Sequence, residues 1–95
     1  MKKTAKKVPA KSGLWIKASG TTVPVKPQKG TKFELKELQK MVGGWVERLQ
    51  LPDQTVMLAN EEGIPLQLPP NAHASSLSGR NIYGDVVVLP RGMGW

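Results

Sequence analysis

The chain has no cysteine in its 95 residues. Disulfides, thiolate catalysis and zinc sites built on cysteine are therefore excluded. The lack fits a reducing compartment without requiring one. His73 is the only histidine, and one imidazole does not make a typical zinc site unless carboxylates join it. Aromatic side chains are only 5% of the residues, which argues against a surface of repeated base-stacking rings. No apolar run approaches the roughly 20 residues needed to cross a bilayer. No apolar stretch of about 7–15 residues follows the basic N-terminus, so a secretory signal is not expected. The glycines fall in none of the spacings that build a phosphate loop, a dinucleotide fold or a nucleophile elbow.

Acidic residues are missing from the first third. Residues 1–32 carry nine lysines, no acid and no arginine, whereas residues 33–95 carry five basic and seven acidic side chains. The net charge of +7 is thus concentrated at one end. "MKKTAKKVPAKSG" has too little apolar surface to fold alone and reads as a flexible basic arm over residues 1–13. Its Lys2, Lys3, Lys6, Lys7 and Lys11 are the candidate partner-binding residues. Lysine without arginine favours diffuse charge contact over bidentate reading of bases.

What is present from Leu14 onward is a folded pattern, expected to span residues 14–90 with a tail at 91–95. "LWIKASGTTVPVKP" reads as two short strands about Ser19-Gly20, and Pro24 confines the second to an edge. "TKFELKELQKMVGG" reads as the principal helix. Thr31 and Glu34 stand at capping-box spacing, and Leu35, Leu38 and Val42 form a stripe with Met41 beside it. Gly43-Gly44 ends the helix. "WVERLQL" and "TVMLAN" form a hairpin about "LPDQT", where Pro52 suits the first central position. "EEG" is a turn and "IPLQL" a short extended piece. Pro69 and Pro70 lead rigidly to Asn71, the N-cap of a short helix that Gly79 closes. Val86, Val87 and Val88 read as a strand buried on both faces. The order is β-β-α-β-β-short α-β, an α+β domain with a small, mostly antiparallel sheet.

The stretches "LKELQKMVGGWVERLQLPDQTVMLANEEG", "LPPNAHASSLSG" and "IYGDVVVL" resemble a small uncharacterised domain family of phage, plasmid and large-virus genomes. Its motifs are a helix ending in VGG plus an aromatic, an LPDG-type turn, NEEG, LPPN, and GD followed by valines. The resemblance covers residues 33–89. Gln54 departs from the usual turn glycine, and the lysine-rich extension is additional. The resemblance implies a viral or mobile-element origin and an address in the virion or the host cell interior. It implies no activity, cofactor or catalytic residue.

The polar residues read mainly as scaffold. Glu61 and Glu62 are adjacent on a turn and face solvent, so paired acid–base work with Asp85 is not expected. His73 reads as a partly exposed helix residue. Trp15 and Trp45 stand among core-like neighbours and are expected in the core. The C-terminal "RGMGW" reads as a loop or tail, whose Trp95 is a candidate to dock on the body or on a partner. The expected function is a non-enzymatic accessory protein packing in a larger assembly, a minor virion component being one form, with the arm anchored on protein or nucleic acid. The alternative is an intracellular counter-defence or host-takeover module that binds a host protein or a small anionic ligand.

Overall fold

The computed structural model describes residues 12–28, 30, 32–91 and 93. The five arm lysines and Trp95 lie outside them. The expected element order and α+β class hold: β1 (Gly13–Ile16), β2 (Thr22–Val25), α1 (Leu35–Val42), β3 (Val46–Gln50), β4 (Val56–Asn60), α2 (Ala72–Ser78) and β5 (Val86–Leu89). The strands form one antiparallel sheet in the order β2-β1-β5-β4-β3. The last strand in sequence is therefore the central one. Its alternate side chains feed two cores: Val86 joins Ile16, Leu49, Met57 and Ala74 on the face covered by α2, while Val87 and Leu89 join Phe33, Leu38 and Leu58 under α1. A strand apolar at consecutive positions suits burial on both sides, as the valine run predicts. β2 is an edge strand, and its Pro24 stands opposite Leu14 where one side needs no ladder donor.

Four expectations need correction. The N-cap of α1 is Glu34, not Thr31; Thr31 lies outside the described residues. Phe33 drops into the core immediately before the helix, so the helical turn begins after it. Glu37 then reaches back, its Oε2 accepting from the Glu34 backbone N–H at 2.9 Å. Leu35, in that first turn, stays 44% exposed, so the buried stripe is Leu38 and Val42. Trp45 is 62% exposed, not core. It precedes edge strand β3 and shares a parity with Glu47, which is exposed as well.

The fourth correction concerns "IPLQL", which is not extended. Residues 61–67 are consecutive turns. Gln67 N–H donates to Ile64 O at 2.9 Å, which puts Pro65 at the first central turn position, where its fixed φ fits. Leu68 N–H donates to Gly63 O at 3.0 Å. The turn at 51–54 matches expectation: Gln54 N–H donates to Leu51 O at 3.0 Å, with Pro52 first. Gln54 has φ +73° there, the conformation for which glycine is suited.

Candidate functional site

The motif residues that stand out in the sequence are occupied in holding the fold. Asn71 is 1% exposed. Its Oδ1 accepts from Ala74 N–H at 3.0 Å, which is the expected cap of α2. Its Nδ2 also donates to Ile16 O at 3.0 Å and Gly84 O at 2.9 Å. One side chain thus ties α2 to the end of β1 and to the approach to β5. Gly84 N–H donates to Pro69 O at 2.7 Å, and a Cβ on Gly84 would stand 2.7 Å from Leu68 Cδ1. The LPPN and GD stretches therefore lock together.

Asn60 does the same for NEEG and VGG. Its Nδ2 donates to Val42 O at 3.1 Å, satisfying a carbonyl at the end of α1, and its Oδ1 accepts from Glu62 N–H at 2.7 Å. A Cβ on Gly44 would lie 3.0 Å from that Nδ2. Gly43 supplies the left-handed close at φ +84°.

The acids are not gathered. Glu61 and Glu62 are exposed in the 61–67 turns, whereas Asp85 Oδ1 accepts from Ala18 N–H at 2.8 Å beside the β1–β2 turn. His73 is exposed on α2. Among the described residues no group of three or more His, Asp or Glu side chains is placed to hold a metal ion. Hydrogen bonds from the Thr55 hydroxyl and backbone N–H hold the Asp53 carboxyl below its ordinary value.

Two surfaces remain that the scaffold does not consume. The first is an exposed apolar corner. Trp45 is joined to the 61–67 turns by Glu61 N–H donating to Trp45 O at 2.8 Å, and Ile64 and Leu66 in those turns are 70% and 52% exposed. Beside it is a shallow pocket of about 140 Å³ lined by Glu47, Glu61, Ile64, Pro65 and Tyr83. The second is a groove of about 540 Å³ between α1 and β2, on the other face of the sheet. Trp15, Val25, Phe33 and Met41 supply its apolar lining, and Lys26, Lys36 and Lys40 its cations. The sequence reading missed both. Lys36 and Lys40 at i, i+4 were the available signal for the groove. Nothing local marks Trp45 as exposed, because its alternation with Leu49 reads as core.

Residues 16–94 match the family model described as Domain of unknown function (DUF3846). The match agrees with the resemblance in kind and extends further along the chain. No curated protein and no solved structure matches. Among the described residues no helix is long and apolar enough to cross a membrane.

Proposed function

The chain belongs to that domain family, and from this premise we propose a non-enzymatic accessory role in a virus or mobile genetic element. The domain packs in a larger assembly, for instance as a minor virion component. Lys2, Lys3, Lys6, Lys7 and Lys11 anchor it on protein or nucleic acid.

The observation that carries the packing half is the exposed corner. Single exposed apolar side chains are ordinary on any surface. Here Trp45, Ile64 and Leu66 are all exposed, and a backbone hydrogen bond joins Trp45 to Glu61 at the start of the turns that carry the other two. Tryptophan is among the residues that dominate protein–protein contacts energetically. The charge partition carries the anchoring half.

The test is the size at which the protein migrates in native extracts of its host. The expected result is migration in a high-mass complex for the natural chain. A variant carrying Trp45→Ser, Ile64→Ser and Leu66→Ser should migrate as a free 10.4 kDa protein with an unchanged melting temperature. A natural chain that migrates free of any complex sinks the packing role.

A further inference from the structure

We propose that the groove between α1 and β2 binds a small organic anion with a flat apolar body. The inference is independent of the assembly role, because the groove and the apolar corner lie on opposite faces of the sheet.

The lining has two chemistries in one space. Trp15, Val25, Phe33 and Met41 offer apolar surface, and the volume of about 540 Å³ falls among those of small-molecule sites, roughly 300–1,000 Å³. The indole is fixed: Trp15 Nε1–H donates to Met41 O at 3.2 Å. Lys17 Nζ sits 4.3 Å from the Trp15 ring centroid, adding a cation to the indole surface. A preorganised ring loses little freedom when a flat body lies against it.

The charge favours an anion. Lys26, Lys36 and Lys40 line the groove along with Glu34 and Glu37. Glu37 is already engaged: its Oε1 accepts from Gln28 N–H and its Oε2 from Glu34 N–H, each at 2.9 Å. That carboxylate faces two fixed donors and braces the connection from β2 to α1. The three lysines are exposed residues at the groove. A phosphate of a mononucleotide and the carboxylate of a lipophilic acid share this chemistry.

The experiment is a titration of ¹⁵N-labelled full-length protein with four probes: 2-naphthoate, its neutral partner 2-naphthamide, adenosine monophosphate and adenosine. The Trp15 indole N–H and the amides lining the groove report the site. At least one anion should shift these signals and bind about tenfold tighter than its neutral partner, the preference shrinking as salt rises. Tighter adenosine monophosphate assigns a nucleotide source; tighter naphthoate assigns a lipophilic acid. The variant with Lys26→Gln, Lys36→Gln and Lys40→Gln should keep its folded spectrum and lose the preference. Equal binding of anion and neutral partner in both pairs, or shifts that map away from the groove, overturns the proposal. So does a triple variant that keeps the preference.

Discussion

Asn71 makes three side-chain hydrogen bonds from a buried position, and only one of them is a helix cap. Removing it takes a donor from the Ile16 and Gly84 carbonyls and the cap acceptor from the Ala74 amide. Each unsatisfied buried group costs about 1–3 kcal/mol, so Asn71→Ala should lower stability by about 3 kcal/mol, well above a cap alone. Chemical denaturation measures it; a loss near 1 kcal/mol would mean that solvent replaces the two donated bonds. Gln54 gives the opposite sign. A side chain at φ +73° is strained by roughly 1 kcal/mol, and Gln54→Gly should recover about half of that after the added freedom of the unfolded chain. A variant no more stable than the parent would remove the strain argument. Asp53 beside it supplies a pH dependence. Its folded-state pKa lies below the unfolded value, so its stabilisation is present above the unfolded pKa and fades as pH falls through the folded one. Melting temperatures measured downward from neutral pH should drop less for Asp53→Asn than for the parent in that acid window.

At the scale of elements, the position of α1 is decided by a ring. Burial of Phe33 fixes where the helix can start, and Glu37 then serves two backbone donors. Glu37→Ala should cost about 1–2 kcal/mol through those two N–H groups, with the loss read in a thermal melt. Stability unchanged by the substitution would return the start of the helix to the Thr31 spacing. The sequence showed the helix, its glycine stop, both hairpin strands and the cap of α2, because each has a local cause: a period, a left-handed glycine, a proline-set turn. It hid what depends on distant partners. The choice between Thr31 and Glu34 turned on where Phe33 packs. "IPLQL" folds into turns because the backbone at Gly63 lies against Tyr83, with only 2.9 Å between a would-be Cβ and Tyr83 O. Trp45 has the right alternation for a core residue and the wrong place, at the outer corner of an edge strand. The groove was hidden for the same reason: β1, β2 and α1 line it only in three dimensions, so Trp15 and Lys40 have no sequence relation.

The whole molecule is a sheet sealed on its central strand, with two cores and polar ties between its loops. Asn60 and Asn71 supply those ties in the NEEG, VGG, LPPN and GD stretches. Every fully buried hydrophobic residue among those described lies at position 16 or beyond, and β1 starts at Gly13. The body from Ser12 onward should therefore fold without residues 1–11, and the full-length and truncated chains should melt within about 1 kcal/mol of one another, as surface changes do.

The division between a neutral scaffold and a charged anchor is tested most directly by the salt dependence of binding to duplex DNA. If all five arm lysines neutralise phosphates, log K should fall against log salt with a slope of about −4.5, from about −0.9 per phosphate. The account predicts that replacing Lys2, Lys3, Lys6, Lys7 and Lys11 with alanine removes most of that slope and weakens all sequences alike. An alanine-substituted protein that binds with the parent's slope and affinity would contradict it.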